Sequence, residues 1–485
     1  MTTDELRESL LMAPKNGYVT LTAEARQAMN DYCKRYMAFM DECKTEREAT
    51  AWAICEAEKL GYKPFVPGMT VSAGDKIYYD CRGKAIALAV IGTESLASGA
   101  NICAAHVDSP RLDLKPNPLY EDAEIAYFKT HYYGGIKKYQ WPTIPLALHG
   151  VVYRQDGSVI TITIGEKDED PVLMVSDLLP HLAAEQMQKT AGKVIGAEQL
   201  NVILGTEPIE GEGSDLVKLN IMKWLNDNYG LIEADFQSAE LTIVPAGRCR
   251  EVGFDRSLIS AYGHDDRVCA YAEMEALFAI ENPTKTAVCI LADKEEIGSV
   301  GISGMKSHYF EHFMGGLCDA QGVKLEDCFA NSFCLSADVA NAHDPNFPEV
   351  SDRRNNASLN YGVAICKYTG ARGKSGASDA SAEAMGHIRT TFNKAGVQWQ
   401  LATLGKVDVG GGGTVAAYMA NRNIVTVDAG VPVLSMHAPL ELFPSTTATI
   451  PTWPARQFIW HNQSFSYRSN CSGTFFETCS FPVTI

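Results

Sequence analysis

Two imidazoles and a set of carboxylates, spread along most of this sequence, share one kind of structural address. His106, Asp265, Glu296, Asp338 and His437 each fall at or near the end of an apolar, strand-like run. The clearest case is Thr286 to Gly298, TAVCILADKEEIG. There Val288, Ile290 and Leu291 read as a buried strand, and Asp293, Glu295 and Glu296 put carboxylates where it stops. Ligands of open α/β sheets collect at that edge. Imidazole and carboxylate donors suit zinc, and a set that includes a bridging carboxylate suits a two-metal site whose ions, roughly 3.5–4 Å apart, activate one water. Asp108 follows His106 by two residues, on the same side of an extended segment, and is placed to orient that imidazole. Glu295, beside a proposed ligand but pointing elsewhere, is placed to take a proton from the attacking water and return it to a leaving amine.

Each of these residues alone also has an ordinary structural reading. His106 can be a satisfied core histidine, Asp265 and Asp266 N-caps of the helix that follows, Asp338 a loop carboxylate and His437 a strand cap. Their recurrence at one edge is what favours a site. The fourteen cysteines include no C-x-x-C pair, so a metal here would take His and carboxylate ligands, and the thiols suit a reducing, cytoplasmic setting.

The elements that must position these groups can be read in outline. A length of 485 residues, 46% hydrophobic and 21% charged, implies a soluble protein of two domains, with no run long enough to span a membrane. The formal charge of −17 opposes nucleic acid and anionic membranes as partners. The N-terminus, MTTDELRESLLMAP, does not read as a secretory signal. Two helices come first. One carries Met29, Cys33, Tyr36, Met37 and Met40 at helical spacing; the other starts with Thr45 and Glu48 in capping-box relation and stops at Gly61. Strands at Ile86 to Ile91 and Asn101 to Val107 follow. From Leu112 to Ile243 the character becomes antiparallel, with Pro145 to Tyr153 and Val159 to Ile164 flanking an Asp156-Gly157 turn, beside a helix-like DLLPHLAAEQMQK. α/β alternation then resumes: a helix from Asp266 to Ile280, a strand ending at Asp338, and a final pair around Val425 and Val433. The reading is an α/β catalytic domain, 1–111 and 244–485, interrupted by a smaller, mainly β domain at 112–243.

Five segments also carry a family resemblance: AAHVDSPRLDLKP, GHDDR, DKEEIGS, SADVANAHDPNF and LSMHAP. In that order and at these separations they resemble the aspartyl aminopeptidase and aminopeptidase I family of dinuclear zinc exopeptidases. HYYGGIKKYQWPTIPLALHGVV and VDVGGGGTVAAYMANR extend the likeness over most of the chain through His437. The resemblance implies a central mixed sheet flanked by helices, with a lid and dimerisation domain inserted, and a dodecameric assembly. It implies two divalent ions per subunit, most simply zinc, with manganese or cobalt as alternatives. His106 would bind one ion and Asp265 would bridge both; Glu296, His437 and Asp338 would complete the sites. Asp108 would orient His106, and Glu295 would be the general base. A histidine from a neighbouring subunit's inserted domain, loosely matched by His181, would steady the tetrahedral intermediate.

The implied reaction removes N-terminal residues, in the first place Asp or Glu, from peptides with a free amine. The likeness sets Lys367 near the side-chain pocket, where an ammonium pairs with Asp or Glu. Asn341 and Asp344, where better-studied relatives have histidines, leave neutral residues as an alternative. A dinuclear amidohydrolase acting on acylated amino acids is a second enzyme reading, and a non-catalytic metal-containing assembly protein ranks last because Glu295 is present. GARGKSG fails as a phosphate loop, since Tyr368 stands where glycine is required. Gly410 to Gly413 suits close approach of backbone to substrate. The segment 443–485 shows no amphipathic helix where the family closes with one, and a change of reading frame after Leu442 is one reading of it.

Overall fold

The computed structural model describes residues 1–370 and 372–448. A nine-stranded mixed sheet runs Lys63–Pro64, Lys76–Cys81, Ala85–Val90, Thr286–Ala292, Ala100–His106, Phe333–Ser336, Val425–Gly430, Val363–Cys366 and Trp399–Leu401 across its width. The four strands Thr286–Ala292, Ala100–His106, Phe333–Ser336 and Val425–Gly430 are mutually parallel, so their C-terminal ends form a single edge. Thr286–Ala292 and Ala100–His106 are buried at every position. Their largely apolar character suits that position, since both faces of the sheet are covered.

Alternation along the strands sorts the core into two layers. Leu88, Cys103, Cys289, Leu335 and Val427 face one side, packed with Tyr36, Ala53, Val268, Ile388 and Phe392 of the helices Ala23–Glu42, Glu46–Lys59, His264–Phe278 and Ala382–Lys394. Ile102, Ala104, Val288 and Cys334 face the other, under Phe310, Phe313, Val415 and Met419 of Tyr309–Ala320 and Val415–Ala420. The Thr45–Glu48 capping box is formed in full, and Gly61 takes the left-handed conformation just past the helix.

Strands between Arg111 and Pro245 make a separate six-stranded antiparallel sheet with its own core around Leu112, Phe128, Trp141, Ile162 and Ile243. The helix expected across DLLPHLAAEQMQK does not form: Pro180–Leu182 and Gln186–Gln188 are single 3₁₀ turns. Pro180 lacks the N–H that a helix interior requires, and few of its neighbours find a core to pack on. Two further N-terminal helices, Thr3–Leu10 and Gly17–Thr20, were not anticipated.

A short sheet of Arg250–Val252, Leu258–Ala261 and Glu441–Pro444 brings the chain back beside the main edge. Phe443, the first residue of the segment whose sequence is atypical, is fully buried between Tyr36 and His264. Ordinary core packing thus continues past Leu442, through Thr446, whose hydroxyl donates to Asn360 Oδ1 at 2.7 Å. The rest of that segment, 449–485, lies outside the described residues.

Candidate active site

Five chain segments converge at the edge of the parallel strands. His106 is the last residue of Ala100–His106; Asp265 opens the helix that follows Leu258–Ala261; Glu295 and Glu296 stand just past Thr286–Ala292. Asp338 follows Phe333–Ser336, and His437 lies on the loop before Glu441–Pro444. One donor atom each from His106, Asp265 and Asp338 lie within 4.8 Å of one another, as do those from Asp265, Glu296 and His437. Asp265 belongs to both groups. Its Oδ1 is 3.2 Å from His106 Nε2, and its Oδ2 is 3.1 Å from His437 Nε2. Glu296 Oε2 is 3.4 Å from the same His437 nitrogen.

The electrostatics of this cluster are those of too many acids in too little water. Burial pushes the carboxyls of Asp338 and Glu296 well above their usual range, with the charge of Asp265 adding to it. Burial likewise raises Glu295 to about 7. Burial alone would depress His437, but hydrogen bonding to Asp265 and the charge of Glu296 lift it to about 10. His106 Nε2 and Glu296 Oε1 are buried without a well-aligned hydrogen bond. Orphaned donor atoms of the types zinc prefers, in two groups sharing one carboxylate, fit a pair of dications, which would relieve the crowding of negative charge.

Asp108 does its orienting differently from what its spacing suggests. His106 Nδ1 donates to the Asp108 backbone carbonyl at 3.0 Å, with carboxylate Oδ1 3.4 Å away. The carboxylate mainly grips the next strand's end: Oδ1 accepts from the Glu295 N–H at 3.1 Å and Oδ2 from the Glu296 N–H at 3.2 Å. Three supporting groups had no sequence signal. Tyr133, from the six-stranded sheet, donates its hydroxyl to Asp108 Oδ2 at 2.7 Å, and Arg111 lies over its ring. His437 Nδ1 donates to the carbonyl of Gly135 at 2.9 Å. Glu441, almost wholly buried, accepts from the Asp265 N–H at 2.9 Å and from the His437 N–H at 2.7 Å.

A cavity of about 200 Å³ opens beside the cluster, bordered by Asp265, Glu295, Asp338 and His437 and by Gly411–Gly413. Asp428 also lines it; burial raises this carboxyl to about 7, against the Thr414 and Ser336 hydroxyls. Lys367 does not line this cavity but stands at a small adjoining crevice that shares Cys366, Thr369 and Asp428 with it. Its ammonium is 2.7 Å from Asp379, which also holds Lys374 at 2.9 Å. The strand ends at Cys366, and the lysine that follows turns toward the neighbouring loop's carboxylate. His181 is likewise apart from the cluster, exposed on its 3₁₀ turn.

The same architecture occurs in known proteins. A solved M18 aminopeptidase from Thermotoga maritima superposes with a TM-score of 0.89 at 43% identity, covering 93% of this chain and 99% of its own. Aminopeptidase I from Clostridium acetobutylicum gives 0.88 at 43%, covering 93% and 100%. A probable M18 family aminopeptidase 1 from Clostridium acetobutylicum is 50% identical over 417 residues, 84% of this chain and 90% of the relative. The yeast aminopeptidase 1 dodecamer, at 20% identity and a TM-score of 0.73, shares the fold. The M18 description, aminopeptidase I zinc metalloprotease, matches residues 39–452, a span that takes in every member of the cluster and runs past Leu442. With sequence and fold in agreement over most of its length, this chain belongs to the M18 family of zinc metallo-aminopeptidases.

Proposed function

We propose that the chain removes the N-terminal residue of peptides bearing a free α-amine. Two divalent ions, zinc in the first instance, would be held by His106, Asp265 and Asp338 on one side and by Asp265, Glu296 and His437 on the other. The observation that carries this reading is Asp265, whose two oxygens face two different imidazoles at 3.2 and 3.1 Å, an arrangement that would suit a carboxylate shared between two ions. Bound there, the ions supply Lewis acidity at the scissile carbonyl and acidify an attacking water. Glu295, with Oε2 3.9 Å from His106 Nε2, accepts the proton of that water at its carboxylate and returns it to the leaving amine. Asp108 is a positioning residue, holding the Glu295 and Glu296 backbones.

Residues 112–243 act as a lid and dimerisation domain in this reading, supported by the reach of Tyr133 and Gly135 into the site. Leu178, Leu179, Leu182 and Met187 are all about half exposed or more around His181, an apolar surface that a second copy would cover. That surface and the dodecamer of the yeast relative support self-association, with His181 reaching a neighbour's cavity. Twelve unpaired cysteines among the described residues, eleven of them buried, support a cytoplasmic setting, and no described helix is long and apolar enough to cross a membrane.

The test is hydrolysis of Asp-, Glu- and Leu-anilides by the purified protein with zinc, manganese or cobalt and after chelation, alongside metal analysis. Chelator-sensitive cleavage of free-amine substrates, with two ions per chain, is expected. Absence of any chelator-sensitive turnover would sink the reading; cleavage of N-acetyl forms alone would favour an amidohydrolase.

A further inference from the structure

The cavity beside the metal-binding residues contains a carboxylate that the reaction does not use. Asp428 lies on the central strand Val425–Gly430, in register with Ser336 on one neighbour and Cys366 on the other. It is 6% exposed, and its Oδ1 makes no hydrogen bond. With Ser336 and Asp338 it lies on the strand face that also carries His106, so it borders the same space as Asp265, Glu295, Asp338 and His437. Apart from that cluster and Asp428 the lining is uncharged and includes Val339, Asn341, Leu404, Met436 and Gly411–Gly413. Among the described residues no lysine or arginine lines it. The nearest candidates by sequence, Lys367 and Lys374, are both engaged by Asp379 on the adjoining loop.

We propose that this cavity receives the N-terminal side chain of the substrate, and that Asp428 makes it selective for uncharged side chains against Asp and Glu. The proposal rests on the aminopeptidase reading of the site. An uncharged side chain entering the cavity loses little hydration and gains contact with Leu404, Met436 and Val339. A carboxylate entering it finds no lysine or arginine on the cavity wall to replace its water, and it meets a second carboxylate. Two such groups in one desolvated space do not both stay ionised, so binding requires uptake of a proton or acceptance of the repulsion. Asp428 is thus a specificity-determining residue placed by the sheet itself, on a strand whose neighbours on both sides fix its register.

The experiment compares kcat/KM for Leu- and Asp-anilides on the zinc-loaded, full-length protein and on its Asp428→Asn and Lys367→Ala variants. The wild type is expected to favour Leu by about a hundredfold, the scale of a like-charge contact. Asp428→Asn is expected to raise the Asp:Leu ratio at least about tenfold, corresponding to one pKa unit of repulsion removed. Wild-type preference for Asp would overturn the proposal. So would a ratio unmoved by Asp428→Asn because both substrates fall together, which is the signature of a carboxylate binding the α-amine. A selective loss of Asp turnover in Lys367→Ala would also overturn it, by identifying the lysine as the acid's partner. If Asp428→Asn does not fold, competitive inhibition of the wild type by free Leu and free Asp decides: Leu binding more tightly supports the proposal, and Asp binding more tightly overturns it. Failure of the wild type to cleave Leu-anilide at all, with both ions bound, removes the aminopeptidase reading itself, an outcome read in the Leu arm alone.

Discussion

The Gly135 carbonyl accepts a 2.9 Å hydrogen bond from His437 Nδ1, and this turns Nε2 of that imidazole toward Asp265 and Glu296. The loop just past the strand Ile125–Tyr133 thereby orients a residue on the far side of the sequence. A Cβ added at Gly135 would sit 3.3 Å from His437 Nδ1, tighter than ordinary contact. Gly135→Ala is therefore expected to displace the imidazole and weaken metal affinity by about tenfold or more, as loss of an outer partner does. Competition with a chromogenic chelator measures it.

Tyr133→Phe removes the hydroxyl that donates to Asp108 Oδ2 but keeps the ring under Arg111. Asp108 then holds the Glu295 and Glu296 backbones with one partner fewer. The expected result is a fall in kcat of roughly tenfold with metal content retained, and a loss of about 1 kcal/mol in unfolding free energy. An unchanged kcat would show that Asp108 needs no help from the second sheet.

Glu295→Gln and Glu296→Gln separate two adjacent carboxylates by job. The first is expected to keep both ions and lose roughly 10²–10⁴ in kcat, the scale of a general base. The second is expected to lower metal stoichiometry. Equal metal loss in both variants would mean that the two carboxylates do not divide the work in this way.

His149 carries a pH dependence away from the metal cluster. Its Nδ1 is 2.7 Å from Glu48 and its Nε2 3.1 Å from Glu166. Burial alone would lower its pKa, but the two carboxylates overcome that and raise it to about 9. A histidine raised in the folded state stabilises fully below its unfolded value of about 6.5, and that stability fades as pH climbs through about 9. The contribution is at most about 3 kcal/mol. Thermal melting from pH 6 to 10 is expected to show a decline in the wild type that is flattened in His149→Gln.

What the residues reveal by themselves depends on the kind of signal each feature leaves. Thr286–Ala292 announces itself because an apolar run that ends on acids fits a buried strand meeting a polar edge; the edge location of Glu296 follows from it, as those of His106 and Asp338 follow from their own strands. Glu441 leaves no such signal. Its acceptors meet backbone N–H groups of Asp265 and His437, and every residue but proline has an N–H. The same holds for the Gly135 carbonyl. For Lys367 a likeness gives position along the chain but not direction, and only the fold reveals that Asp379 captures its ammonium. The segment DLLPHLAAEQMQK has hydrophobic residues at plausible helical spacing, but little core within reach to bury them.

Glu441 also bears on when this protein becomes a peptidase. It joins the backbones of Asp265 and His437 from a strand that pairs with Leu258–Ala261. A chain emerging from the ribosome carries His106 and Asp265 long before it carries His437 and Glu441. Until that last strand docks, one of the two proposed ligand groups lacks its imidazole and Asp265 lacks the carboxylate that anchors its backbone. On the proposed ligand set, the growing chain is thus expected to stay inert toward the peptides around it until its last strand docks.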